Sequence, residues 1–127
     1  MLRTAVRSFG DVVIVDCTGR IVFGEETTSL REQVKDLLNQ SRQVVLNLEH
    51  VNHIDSNGVG TLVGLHISAR GVDGNIKLAG LGGRVRDVLH ITKLGTIFEV
   101  FETAAEAAAS FTEESAVRAF VKRFPPS

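Results

Sequence analysis

Gln43-Val44-Val45-Leu46-Asn47-Leu48, followed six residues on by Ile54-Asp55-Ser56-Asn57-Gly58-Val59-Gly60, is the stretch that decides the fold. The first segment reads as a short strand whose Val44, Val45, Leu46 and Leu48 suit a parallel strand buried on both faces. The second reads as a loop opening into a helix that runs to about Arg70, with Val59, Leu62, Val63 and Ile67 on one face. Asp55 or Ser56 would cap that helix, and Gly58 and Gly60 would let its first turn approach other backbone closely. In an open α/β sheet, the loop that leaves the carboxyl end of a strand and enters a helix is where ligands and modifications usually sit. Ser56 falls at such a helix start, where unpaired N–H groups and the positive end of the helix dipole favour an added phosphate.

The segments on either side extend the same pattern. Residues 2–8 and 11–18 predict two strands joined by the turn signal Phe9-Gly10-Asp11, hence an antiparallel hairpin. Over residues 25–40, Leu30, Val34, Leu37 and Leu38 mark a helix, with Ser29 and Glu32 as a capping box near its start. Beyond residues 71–74, which end the second helix, residues 75–79 predict a strand and 80–83 a loop. A third helix follows over 84–92, with Val85, Val88 and Leu89 inward, and then a last strand over 96–101. Thr103 with Glu106 caps an Ala-rich helix to about Phe111. A strand pair followed by alternating helices and strands means a mixed parallel and antiparallel sheet with right-handed crossovers. Residues 112–124 read as a separate helix that starts at Thr112-Glu113-Glu114. Its apolar face of Ala116, Val117, Phe120, Val121 and Phe124 would cover its own domain or a second copy in a homodimer.

Composition narrows the function. The chain has 127 residues, 14 Lys+Arg against 15 Asp+Glu and a net charge of −1, so bulk charge draws it neither to nucleic acid nor to an anionic membrane. Without Trp or Tyr there is no aromatic platform for single strands. The one cysteine, Cys17, reads as a small core hydrophobe and fits the reducing cytoplasm, the expected location in the absence of a signal peptide or a 20-residue apolar run.

Other chemistries fit less well. Asp55 as the acceptor of a receiver domain needs an acidic pair at the end of the first strand to hold Mg²⁺, and the nearest pair, Glu25-Glu26, sits at a helix start. Gly80-Leu81-Gly82 is followed by Val85 where a dinucleotide fingerprint needs a third glycine. His50 and His53 match no metal-ligand spacing, and Ser56 lacks the glycines of a nucleophile elbow. No cofactor, metal or catalytic residue is expected.

Leu46-Asn47-Leu48, Asp55-Ser56-Asn57-Gly58-Val59-Gly60 and Gly82-Gly83-Arg84-Val85-Arg86-Asp87-Val88-Leu89-His90-Ile91-Thr92-Lys93-Leu94, in this order of elements, resemble the STAS domain of bacterial anti-sigma factor antagonists. The resemblance spans residues 1–111, leaving 112–127 as a helical extension. It implies a mixed α/β fold with an N-terminal antiparallel hairpin and helices packed mainly on one face of the sheet. It further implies a non-catalytic role in which the serine after the aspartate, here Ser56, is phosphorylated by an anti-sigma factor that is also a serine kinase. The unphosphorylated form would bind that anti-sigma factor, and a PP2C-type, metal-dependent serine phosphatase would restore it. The partner surface would comprise the loop around Arg20 to Glu26, with Arg20 and Glu25, the turn of Asp55, Ser56, Asn57, Gly58 and Gly60, and the exposed side of the second helix near Thr61. Two positions depart from the family pattern: Asn57 stands where relatives carry Ser or Thr, and Val22 where they carry an acid. The first of these keeps a second reading open, that of a STAS scaffold or interaction module of a stressosome-like or other signalling complex that is never phosphorylated.

Overall fold

Residues 2–125 are described by the computed structural model. The chain forms β1 (Leu2–Phe9), β2 (Val12–Ile21), α1 (Glu25–Leu38), β3 (Gln43–Ile54), α2 (Ser56–Gly71), β4 (Asn75–Ala79), α3 (Gly83–Thr92), β5 (Val100–Phe101) and α4 (Ala104–Arg123), with a 3₁₀ turn at Leu94–Ile97 before β5. One sheet carries the strands in the order β1-β2-β3-β4-β5. β1 and β2 pair antiparallel and every other pair is parallel, the mixed sheet that the hairpin and the β-α alternation predict.

Successive side chains of a strand point to opposite faces, and here each face has its own core. Val15, Cys17 and Ile21 of β2, Val44, Leu46 and Leu48 of β3, and Ile76 and Leu78 of β4 pack with the apolar stripes of α1, α2 and α3. Val12 and Ile14, Val45 and Ala79 turn the other way, onto Ala104, Ala107, Ala108 and Phe111 of α4. Three helices thus cover one face and α4 the other. Cys17 belongs to the larger core, where burial, with a smaller push from the Asp16 charge, raises its thiol pKa to about 12. It stays a neutral hydrophobe at neutral pH.

Several elements differ from the sequence reading. β3 does not stop at Leu48 but continues to Ile54, because β2 also runs on to Ile21 and pairs with it beyond the point where β4 ends. The last strand is confined to Val100–Phe101, since the chain ahead of it winds into the 3₁₀ turn. α1 opens at Glu25 with Gly24 as its N-cap and no side-chain cap, so Ser29 lies inside the helix and forms no capping box with Glu32. α2 buries Val59, Leu62, Leu65 and Ala69, and Ile67 is 64% exposed. The 112–124 segment is no separate helix: α4 is continuous to Arg123, and the Thr112 hydroxyl donates back to the Ala108 carbonyl at 3.3 Å instead of capping a new start. The cap at the true start is the expected one, with Thr103 Oγ1 accepting from the Glu106 N–H at 3.1 Å.

Lys77 was not anticipated. It stands on β4 under α4 with no exposure. Its ammonium donates to Ser110 Oγ at 2.7 Å and Glu114 Oε1 at 2.6 Å, pairs with Glu99 at 3.3 Å, and lies 4.3 Å from the centre of the Phe111 ring. A buried cation tolerates desolvation only when paired and hydrogen-bonded in this way. Lys77→Met should therefore leave stability within about 1 kcal/mol of the parent, because the half-exposed carboxylates rehydrate when the cation goes. The double change Glu99→Ala/Glu114→Ala strands the ammonium and should cost about 3 kcal/mol in urea denaturation.

Candidate functional site

The carboxyl ends of β2 and β3 lie side by side, with Ile21 in register with Ile54, so the loops that leave them share one surface. Asp55 joins the two. Its Oδ1 accepts the Gly58 N–H at 2.8 Å, capping α2, and its Oδ2 accepts the Phe23 N–H at 3.0 Å, holding the β2–α1 loop. Its own N–H donates to the Ile21 carbonyl at 3.4 Å. Partial burial would raise the Asp55 pKa, but the N–H groups of Phe23, Gly58 and Asn57, with His53 nearby, outweigh it and hold the carboxyl below its ordinary 3.8.

Gly58 makes this closeness possible. A Cβ there would collide with the Ile21 carbonyl oxygen and stand 2.7 Å from the Ile54 side chain, so the first turn of α2 sits directly on the end of β2. Gly60 does no such thing: a Cβ at that position would meet nothing within 4 Å, which corrects the expectation that both glycines serve close approach.

The other predicted residues divide. Ser56 is exposed as the first residue of α2. Asn57, Glu25 and Thr61 line a surface cleft of about 550 Å³ between the starts of α1 and α2, together with Phe23 and Arg31. Thr61, expected on the exposed side of α2, is only 1% exposed. Its hydroxyl donates to the Asn57 carbonyl at 2.9 Å and accepts from Arg31 Nη2 at 3.3 Å, so it braces the cleft from within. Arg20 is exposed near the end of β2, opposite His53, and does not line the cleft. Among the described residues, no group of three His, Cys, Asp or Glu side chains is placed to hold a metal ion.

Phe23, within the loop from Arg20 to Glu26 that the sequence assigns to the partner surface, is 76% exposed at the tip of the loop that Asp55 holds. Arg31 left no signal in the sequence, because the partner that places it is thirty residues away on another helix.

A mixed sheet covered by helices on both faces, with Ser56 exposed at the start of the helix that leaves its central strand, makes this an α/β domain of the mixed-sheet kind. The STAS domain matches this sequence over residues 3–107, and the chain belongs to that family. Among solved structures, a Thermotoga maritima protein assigned as an anti-sigma factor antagonist superposes with a TM-score of 0.77 at 27% identity, over 84% of this chain and 92% of its own. An anti-sigma factor antagonist from Mycobacterium paratuberculosis gives 0.76 at 20% identity, over 87% and 93%. The Bacillus cell fate determinant SpoIIAA in its phosphorylated form gives 0.67 at 20% identity, over 86% and 99%. The latter two share the fold. No helix among the described residues is long and apolar enough to cross a membrane.

Gly58→Ala should destabilise the chain by about 3 kcal/mol in chemical denaturation, since backbone rather than a movable side chain blocks the new methyl group. Gly60→Ala should stabilise it by about 0.5–1 kcal/mol through helix propensity alone. Because the folded-state pKa of Asp55 is depressed, its contribution to stability is complete well above pH 3.8 and is lost as pH falls through the folded value. Asp16, lowered by its hydrogen bond from Arg7 against opposing burial, titrates in the same sense. Asp55→Asn should flatten the acid limb of a stability-versus-pH curve measured from pH 6 down to about 2, leaving the Asp16 part in place.

Proposed function

We propose that this chain is an anti-sigma factor antagonist that binds a kinase-type anti-sigma factor while Ser56 is unmodified and releases it when Ser56 is phosphorylated. The observation that carries this reading is the placement of Ser56: exposed, first in α2 and directly after the N-cap Asp55. A kinase reaches such a hydroxyl without unfolding anything. The likeness to the Thermotoga maritima antagonist supports the general role, and the Asp55-Ser56-Asn57-Gly58 turn supports the particular residue.

Phosphorylation adds about −1.5 to −2 charges beside a carboxylate that the fold keeps ionised. Charge and bulk placed on the contact surface suffice to weaken an interface there, with no second conformation needed. Exposed Phe23 and the cleft residues Glu25 and Asn57 form the rest of that surface, and buried Thr61 supports it. A PP2C-type serine phosphatase would reset the switch. The protein would act in the cytoplasm, as a binding partner and not as an enzyme.

Mass spectrometry of the protein isolated from its source cells should find phosphate on Ser56. In titration calorimetry against the candidate kinase-type anti-sigma factors, Ser56→Ala should bind like the unmodified chain, and Ser56→Asp should bind at least 10-fold more weakly. Equal binding by all three forms would contradict the switch and leave the scaffold reading that Asn57 favours.

A further inference from the structure

The second half of α4 carries an apolar face that its own domain does not cover. Phe120 is 62% exposed, Phe124 58%, and Val117 and Val121 are likewise open. The two phenylalanines rest on each other, with ring centres 5.1 Å apart. At 3.6 residues per turn, the sheet-facing stripe of Ala104, Ala107, Ala108 and Phe111 is continued by Arg118 and Lys122. The stripe of Val117, Phe120, Val121 and Phe124 lies roughly 140° round the helix from it. Since α4 is unbroken to Arg123, this face cannot be turned back onto the sheet. Nothing among the described residues buries it.

We infer that the occupant is a second copy of this chain, packed antiparallel along residues 112–124 of α4. The segment is self-complementary. Acidic Glu113 stands on the exposed stripe one turn before Val117, and basic Arg123, flanking that stripe beside Phe124, closes the helix. When two copies run antiparallel with Val117 of each against Phe120 of the other, the Glu113 end of each chain lies alongside the Arg123 end of its partner. The opposed helix dipoles add to the same preference. A lipid surface fits less well, because Glu113 sits on the apolar stripe that would enter the membrane. Stable interfaces bury about 1,200–2,000 Å² in all. A few side chains per copy fall short of that, so the dimer should be weak, with dissociation on the order of tens of micromolar.

Sedimentation velocity of the full chain, from a few micromolar to several hundred, should show the average mass rising from one chain toward two. Phe120→Asp/Val121→Asp should remain monomeric throughout, with an unchanged circular dichroism melt, since both side chains are already exposed. Glu113→Arg and Arg123→Glu should each weaken association at least 5-fold, and the double charge exchange should return it to within about 2-fold of the parent. Failure of the double exchange to recover overturns the antiparallel pairing. A chain that stays monomeric at the highest concentration overturns the proposal outright, whether or not it then sediments with vesicles containing phosphatidylserine. Co-sedimentation would reassign the face to an anionic lipid surface.

Discussion

The Asp55 carboxylate is the constraint from which the end of the domain that carries the candidate site is built. A parallel sheet places the ends of β2 and β3 together, but nothing in strand pairing fixes the loops that leave them. Asp55 does so by spending one oxygen on each: Oδ2 on the Phe23 N–H of one loop, Oδ1 on the Gly58 N–H of the other. The bonds are short enough to require α2 to start against β2, and only a residue without a side chain at position 58 permits that contact. A capping interaction is ordinarily worth about 1 kcal/mol to one helix. Here the same group also sets the position of a second loop, so the exposure of Phe23 and the position of Ser56 are consequences of one carboxylate.

The other face of the sheet follows a different logic. α4 offers it mainly alanines and Phe111, which let the helix lie close but bury little area per residue. The Lys77 cluster supplies what the alanines do not. Its ammonium gathers Ser110 and Glu114 from α4 and Glu99 from the segment before β5, tying helix and sheet at the point where the apolar contact runs out. Beyond Glu114 the helix projects with no further burial of its large apolar side chains. The same cluster therefore marks where α4 ceases to belong to the domain core.

How far the sequence could be read depended on whether its signals were local. The α1 stripe of Leu30, Val34 and Leu38 was legible because polar residues separate its apolar positions, and all three are buried. α2 was legible as a helix but not in phase: Val59, Leu62, Val63, Leu65 and Ile67 crowd so much of its circumference that periodicity does not choose between Leu65 and Ile67. The cap at Asp55 was visible, whereas its second bond, to Phe23, joins residues 32 positions apart. Lys77 in a five-residue strand looks like an exposed edge position, and its principal acceptor lies 37 residues away. Thr112-Glu113-Glu114 imitates a helix start, and only the burial of Phe111 beneath the same helix shows that none is needed.

The geometry at Asp55 also bears on how a phosphate at Ser56 would act, on the reading proposed above. A phosphoserine at a helix start is commonly drawn toward the free N–H groups of the first turn. Here two of those donors are already engaged: the Gly58 N–H is bound to Asp55 Oδ1, and the Val59 N–H is bound to the Asp55 carbonyl. The capping carboxylate, held in its charged form, offsets part of the positive end of the helix. A phosphate would then gain little by folding inward and would meet like charge if it did. It would stand outward from α2, adding its charge to the partner surface while the fold beneath stays as it is.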